Sequence, residues 1–141
     1  MLKQAFAENA NSPALYNSLG MTDFERQDYD AAVSSFDKAI DLSRDFNKIQ
    51  NKIDQPHPMY LNNRGLANHF LKHFDAAIAD FNEAIRLEDG DPIIYFNRGN
   101  AYLNMGTEES IELAYKDFET ASTINPYTPK FWHAKGLAKQ S

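Results

Sequence analysis

Two histidines stand four residues apart in the stretch HFLKH, at His69 and His73. Residues at this spacing lie on one face of a helix, where their imidazoles could share a metal ion. Such sites need a further ligand, usually a carboxylate or another histidine, and this stretch holds no acidic residue. The pattern therefore favours two surface histidines, and the sequence predicts no metal site.

The sequence also lacks the motifs of common catalytic and nucleotide-binding sites. It contains no P-loop, dinucleotide-binding glycine motif, zinc-protease motif, nucleophile elbow or calcium-loop spacing. It has no cysteine, which excludes a disulfide framework, a thiolate metal site and a cysteine nucleophile. These absences predict a protein that is not an enzyme and uses no cofactor.

Acidic and basic residues are interspersed along the 141-residue chain, and the formal net charge is -6. Because nucleic-acid affinity depends on clustered Lys and Arg, this distribution argues against nucleic acid as a partner. No stretch approaches the roughly 20 apolar residues that span a bilayer, and the start, MLKQAFAENAN, lacks the apolar core of a secretory signal. We therefore expect a soluble, cytoplasmic protein without membrane insertion.

An internal repeat indicates the elements that would position any binding residues. The words NNRGLA and FNRGNA place Gly65 and Gly99 34 residues apart, and YNSLG and WHAKG extend the frame to Gly20 and Gly136. A large apolar residue stands four places before each glycine. A second signature, a small residue, an aromatic residue and an alanine, follows three times: Ala32, Phe36 and Ala39; Ala77, Phe81 and Ala84; Ala114, Phe118 and Ala121.

This pattern resembles the tetratricopeptide repeat, whose unit of about 34 residues carries W-x2-L-G-x2-Y, then A-x3-F, then P. The resemblance implies an all-α fold, a right-handed α-solenoid of helix-turn-helix units. Apolar residues at helical spacing, as in DYDAAVSSFDKAIDL, independently predict helix pairs. One pair cannot bury its apolar face alone, so the units must stack.

Prolines divide the chain into units, because each stands where a first helix should begin, and Ser12 suits the N-cap of the first one. These prolines are Pro13, Pro58, Pro92 and Pro129. We predict an N-terminal capping segment at residues 1–12, three full repeats at 13–57, 58–91 and 92–128, and a C-terminal capping helix at 129–141. We expect that last helix to dock on the third repeat through Phe131, Trp132 and Leu137.

Two insertions depart from the 34-residue spacing. Three extra residues lie between Gly99 and Gly136, where Gly106 can end one helix and Thr107 can cap the next. Eleven extra residues precede Gly65, in SRDFNKIQNKIDQPHP, and an apolar stripe there continues the second helix of the first repeat. Either the stripe contacts a partner, or the segment bends back and packs within the chain. The residues of this candidate partner contact are Phe46, Ile49 and Ile53.

Charged residues appear together in the second and third repeats. Arg64 and Arg98 precede their glycines, where the family usually has leucine, and both repeats carry an aspartate before the second-helix aromatic residue. The first repeat has uncharged residues at both places. Because the frame puts these places on facing helices, we predict structural ion pairs, with a ligand-binding role as the alternative. The pairs are Arg64 with Asp80 and Arg98 with Asp117.

The resemblance implies that the first helices of successive units line a concave groove that receives an extended peptide or a partner helix. The frame assigns to it the residues three before, two before and one after each glycine. They are neutral and rich in amides, and asparagine can both donate to and accept from a peptide backbone. Alternatively, each asparagine bonds its own neighbouring helix. The candidate peptide-binding residues are Asn17, Met21, Asn62, Asn63, Leu66, Phe96, Asn97, Asn100 and His133.

One subclass of the family, the clamp for acidic chaperone tails, needs lysine, asparagine or arginine at five defined places. Only Asn63 matches, so we predict that the chain is not a chaperone-tail clamp. The five places hold Asn17, Met21, Asn63, Ile93 and Asn97.

Two function classes remain. In the first, the chain is a non-enzymatic scaffold or adaptor that binds a protein or peptide partner in its concave groove. In the second, it is an architectural subunit of a larger assembly, held through its ends and the 42–57 insertion.

Overall fold

The computed structural model describes residues 12–49 and 56–141, and in these ranges it has seven α-helices and no strand. None of the helices in these ranges is long and apolar enough to cross a membrane. The helices are α1 (Pro13–Glu25), α2 (Tyr29–Ile49), α3 (Pro58–Phe70), α4 (Phe74–Leu87), α5 (Pro92–Met105), α6 (Glu108–Ile124) and α7 (Pro129–Gln140).

Local sequence sets where the helices begin and end. The first helix of each unit begins at a proline, whose fixed φ and missing N–H suit the first turn. The Ser12 side chain accepts a hydrogen bond from the backbone N–H of Leu15, which confirms the predicted cap. Gly106 ends α5 with a left-handed φ of 77°, and Thr107 and Ser110 then form a reciprocal capping box at the start of α6. The predicted stop and cap between α5 and α6 are confirmed.

In each of the three helix pairs, the glycine of the first helix lies against a phenylalanine ring of the second. A Cβ added at Gly20, Gly65 or Gly99 would lie 2.5, 2.8 or 2.5 Å from the ring of a phenylalanine on the second helix. Side chains at these places would overlap the ring, so only glycine lets the two helices approach this closely. The three rings, which are fully buried, are those of Phe36, Phe81 and Phe118.

The pairs stack in chain order. α1 pairs with α2, α3 with α4 and α5 with α6, and each second helix also packs on the next first helix, with α6 packing on α7. One buried cluster joins Ile40 of the first pair, Leu61 and Phe81 of the second, and Ile94 of the third. The first helices also contact one another in the order α1, α3, α5 and α7. The predicted all-α stack of helix-turn-helix units is confirmed.

α2 is longer than its counterpart in the second pair, with 21 residues against 14 in α4. Phe46 and Ile49 lie in its C-terminal part, where only the backbone is described. Ile53 and residues 1–11 lie outside the described residues. The candidate partner contact and the N-terminal capping segment therefore stay predictions.

The last helix docks on the third pair through one aromatic residue. Phe131 is 1% exposed, and its ring centroid lies 5.3 Å from that of Phe96 on α5. Trp132 and Leu137 are 50% and 46% exposed, so the expectation that they also dock is wrong. The Trp132 indole instead donates its N–H to the backbone oxygen of Pro126, in the turn before α7, over 2.9 Å.

Candidate functional site

The side of the array formed by α1, α3, α5 and α7 is named the first-helix face. Seven of the nine candidate peptide-binding residues are accessible there, and none of the seven carries a formal charge with histidine neutral. These seven side chains therefore offer a ligand polar and apolar contacts without a formal charge of their own. Met21 and His133 are exposed, and the half-buried residues are Asn17, Asn63, Leu66, Phe96 and Asn100.

The other two candidates, Asn62 and Asn97, lie between helices and are only 3% and 7% exposed. Asn97 Nδ2 donates a hydrogen bond of 3.1 Å to Asn62 Oδ1, which links α5 to α3. The same step one unit earlier joins Asn63 Nδ2 to Asn17 Oδ1 over 2.9 Å and links α3 to α1. Asn62 and Asn97 are therefore not accessible to a peptide. Their side chains bond neighbouring helices, as the alternative interpretation of the asparagines predicted.

The amide hydrogen bonds between first helices do not continue from α5 to α7. The next two places in the frame hold Phe96 and Ala134, which belong to one apolar cluster. The Phe96 ring also contacts the rings of Phe118 and Phe131, and Lys130 Nζ lies 5.1 Å from its centroid. The first-helix face thus changes from amide-lined at α1 and α3 to aromatic between α5 and α7.

The ion pair predicted in the second unit is present and has a third member. Arg64 Nε and Nη2 donate to the two carboxylate oxygens of Asp80 over 2.9 and 2.7 Å. Its remaining nitrogen, Nη1, donates to Asp37 Oδ1 over 2.8 Å. Asp80 lies on the second helix of the same pair, whereas Asp37 lies on the second helix of the preceding pair. One guanidinium therefore joins three helices.

The third unit repeats this arrangement. Arg98 Nε and Nη2 donate to Asp117 over 2.9 and 2.7 Å, and Nη1 donates to Asn82 Oδ1 over 2.9 Å. In α7 the same place holds Lys135, whose Nζ lies 3.6 Å from Glu119 on α6. A basic residue before the glycine thus reaches back to the preceding second helix at three successive interfaces.

The electrostatics of the third unit reflect the burial of its ion pair. Burial raises the pKa of Asp117, and the hydrogen bonds and charge of Arg98 lower it only in part. Burial alone would lower the pKa of Arg98. The hydrogen bonds to Asp117 and the charge of Asp117 outweigh burial, so the pKa of Arg98 is raised. Asp117 is 4% exposed, and each of its carboxylate oxygens accepts a hydrogen bond from Arg98. These contacts favour the structural reading over a ligand-binding role.

The two histidines of HFLKH lie in different environments. His73 is exposed, but His69 is half-buried, which corrects the expectation of two surface histidines. Burial lowers the pKa of His69, and Asn104 Nδ2 lies 2.6 Å from its Nε2, which fits a neutral imidazole. Within residues 12–49 and 56–141 no three metal-ligating side chains come together.

Two sequence models of one family match the chain. A model described as TPR repeat matches residues 65–106, and a model described as tetratricopeptide repeat matches residues 13–46. Together they cover more than half of the chain. The chain belongs to the tetratricopeptide repeat family. A comparison with curated protein sequences finds no match.

Solved tetratricopeptide structures share the fold. The first such domain of Spaghetti (RPAP3), bound to HSP90 peptide SRMEEVD, is 23% identical with a TM-score of 0.78, over 92% of this chain and 91% of that one. The second domain of human RPAP3, in complex with an HSP70 peptide, is 18% identical with a TM-score of 0.74, over 92% and 100%. The APC/C hetero-tetramer Cut9–Hcn1 is 23% identical with a TM-score of 0.82, over 97% of this chain but 25% of that one. At these identities the likeness establishes the fold.

The second hydrogen-bond acceptor of Arg64 and of Arg98 was not predicted from the sequence. The frame gave the aspartate on the paired helix, but Asp37 and Asn82 are reached across the interface between repeats. A signal was present, since every second-helix aromatic is followed by a residue with a side-chain oxygen: Asp37, Asn82 and Glu119.

Proposed function

We propose that this tetratricopeptide chain is a non-enzymatic scaffold that binds an extended peptide or a partner helix on its first-helix face. The observation that carries the proposal is the set of half-buried amide and apolar side chains on α1, α3 and α5, with Met21 on α1 and His133 on α7 exposed beside them. On the described helices Arg64 and Arg98 are paired with carboxylates, and none of the candidates on this face carries a formal charge with histidine neutral.

The amides supply the polar part of this recognition. Asn63 Nδ2 has two hydrogens and gives one to Asn17, so the other hydrogen and the Asn63 oxygen remain for a peptide backbone. Leu66 and Phe96 supply half-buried apolar contacts beside them. A ligand read through its backbone and a few apolar side chains fits this combination.

We further propose that acidic chaperone tails are not the ligands. RPAP3 domains of the same fold hold HSP90 and HSP70 peptides. Here the places of the clamp lack the lysine and arginine that would pair the carboxylates, and Asn97 is buried against Asn62. Titration with the peptide SRMEEVD tests this point, and we expect no saturable binding. Saturable micromolar binding would overturn it.

Selection of peptides from a random phage-displayed library tests the scaffold proposal itself. Leu66→Asp places a carboxylate on the first-helix face, and Ala79→Asp places the same charge on the exposed side of α4. We expect selected peptides to lose at least tenfold in affinity for the Leu66 variant and to keep their affinity for the Ala79 variant. Failure to select any binder, or equal losses for both variants, would contradict the proposal.

The second candidate function is an architectural subunit held through its ends and the 42–57 insertion. The observation that favours it is the uncovered side of α7, where Trp132 is half exposed. In this case the chain would bind another subunit at its C-terminal end.

A further inference from the structure

A cleft lies where the C-terminal halves of α3 and α5 meet the start of α4. Its volume is about 580 Å³, which is within the range of pockets that hold a small organic group. Asn100, one of the candidate peptide-binding residues, lines it, so the cleft adjoins the first-helix face. The α3–α5 cleft is defined by its lining residues, which are His69, Phe70, Lys72, Phe74, Asn100 and Asn104.

Rings make up half of this lining. The Phe70 ring is 51% exposed, yet it is held in place by Tyr29, which stacks on it with the centroids 5.1 Å apart. His69 stacks on Phe70 at 5.5 Å and lies 5.7 Å from Phe74. Aromatic side chains favour such neighbours at centroid distances of about 4.5 to 7 Å. The α3–α5 cleft therefore presents a fixed aromatic surface on which a further ring can pack.

Two amides supply the polar part of the lining. Asn104 Nδ2 lies 2.6 Å from His69 Nε2, which leaves the Asn104 oxygen as a free acceptor. The Asn100 side chain has no hydrogen-bond partner among the residues that the structure describes. Lys72 is the only lining residue with a formal charge, and it is exposed to solvent. Free carbonyl oxygens beside rings call for a ligand group that is aromatic and also donates a hydrogen bond.

We propose that the α3–α5 cleft takes one aromatic side chain with an O–H or N–H donor, a tyrosine or a tryptophan of the peptide bound on the first-helix face. The ring packs against Phe70 and Phe74, and its donor reaches the oxygen of Asn100 or Asn104. Tyrosine and tryptophan pair this donor when they are buried, so the two amides distinguish them from phenylalanine. The inference rests on the proposed function and adds the side chain that the peptide carries.

The chain itself offers few rings of this kind. Residues 1–11 and 50–55 contain neither tyrosine nor tryptophan, so neither segment can be the occupant. The N–H of Trp132 already donates to the backbone in the turn before α7. Tyr127 is 91% exposed, which makes it the group that a second copy would offer. A peptide is the better occupant because Asn100 belongs both to the cleft and to the first-helix face.

A fragment titration of the full chain tests the cleft without any peptide. The probes are p-cresol, which has the ring and the O–H of tyrosine, and toluene, which lacks the O–H. NMR follows the side-chain amides of Asn100 and Asn104 and the backbone amide of Phe70. We expect saturable shifts at these signals, with p-cresol binding at least threefold more tightly than toluene.

The double variant Asn100→Leu with Asn104→Leu removes both acceptors and keeps the size of the side chains. We expect it to bind p-cresol no more tightly than toluene, with the backbone amide of Phe70 as the reporter. Thr123→Leu, at an exposed place on α6, is the control and should keep the preference for p-cresol. Melting temperatures check that both variants fold.

Peptides selected from the phage-displayed library test the same point on the ligand. We expect those that lose affinity for Leu66→Asp to carry a tyrosine or a tryptophan. Its replacement by alanine should weaken binding at least tenfold. Replacement of a tyrosine by phenylalanine should weaken binding several-fold to the wild-type chain and less to the double variant.

Three results would overturn the proposal. The first is equal binding of p-cresol and toluene to the wild-type chain, or shifts that avoid the cleft. The second is a set of Leu66→Asp-sensitive peptides with neither tyrosine nor tryptophan, which leaves the scaffold proposal standing. The third is self-association that both Tyr127→Ala and the double variant dissociate, because a second copy would then fill the cleft. Failure to select any peptide would instead contradict the proposed function, whereas the fragment titration reports on the cleft alone.

Discussion

Arg64 bonds Asp80 of its own helix pair and Asp37 of the preceding pair with the same guanidinium, over 2.7 to 2.9 Å. A contact of this kind couples the packing within a unit to the stacking between units. Because the stability of a repeat array rests on nearest-neighbour interfaces, these arginines contribute to the cooperativity of the whole stack.

Removing the arginine of the third unit should leave a buried carboxylate without its partner. We expect Arg98→Ala to lower the free energy of unfolding by about 2 to 3 kcal/mol, below the range for a fully buried pair because Arg98 is partly exposed. Arg86→Ala is the control, since Arg86 pairs only with Glu83 at the surface, and it should change little. Urea denaturation of both variants checks this, and equal midpoints would contradict a structural role for the pair.

The cost of Arg98→Ala should depend on pH. Without Arg98, only burial acts on Asp117, so its folded-state pKa rises further above its unfolded value. An acid with a raised folded-state pKa binds a proton more readily when folded, so its contribution to stability falls as pH rises through that window. The difference in free energy of unfolding between wild type and variant should therefore shrink as the pH is lowered from about 7 to about 4. A gap that stays constant or widens on acidification would argue against burial of this charge.

A methyl group should be tolerated at one glycine of the repeat frame and not at another. The Cβ of Gly99→Ala would lie 2.5 Å from the buried Phe118 ring, and we expect a loss of about 1 to 3 kcal/mol from overpacking. Gly136→Ala meets no atom within 4 Å, so the better helix propensity of alanine should stabilise it by up to about 1 kcal/mol. Thermal melts compare the two variants. Similar changes in melting temperature for both would mean that the Phe118 ring does not exclude a side chain at Gly99.

Adjacent aromatic residues on α7 should differ in their effect on stability. Phe131→Ala removes a ring that is 1% exposed and packed on Phe96, and we expect a loss of about 3 kcal/mol. Trp132→Ala removes a half-exposed ring and should cost clearly less. If the tryptophan variant proves the less stable of the two, the docking of α7 has been misassigned.

The repeat frame allowed the fold to be predicted because its glycines, prolines and aromatic residues each have a local physical role. Pro92 suits a first turn, Gly106 admits a left-handed φ, and Gly65 admits the ring of Phe81. The Arg–Asp pairs were predictable for the same reason, since the frame places both partners on facing helices.

The accessibility of the candidate binding residues was not predictable in the same way. Asn62 and Asn63 are neighbours in the sequence, yet one is buried and the other half-buried. Neighbouring residues of a helix point about 100° apart around its axis, and the repeat frame does not specify which of the two is covered by the next helix. The exposure of Trp132 likewise depends on whether another helix packs on α7, and the sequence of α7 alone does not determine that.

We propose that partners bind along the first-helix face, and an NMR titration with a selected peptide tests this most directly. Side-chain amide and backbone shifts in a titration would locate the ligand on the described helices. We expect the largest shifts on α1, α3 and α5, including the side-chain amides of Asn63 and Asn100, and we expect Asn100→Asp to weaken binding. Shifts confined to the exposed sides of α2, α4 and α6 would contradict it.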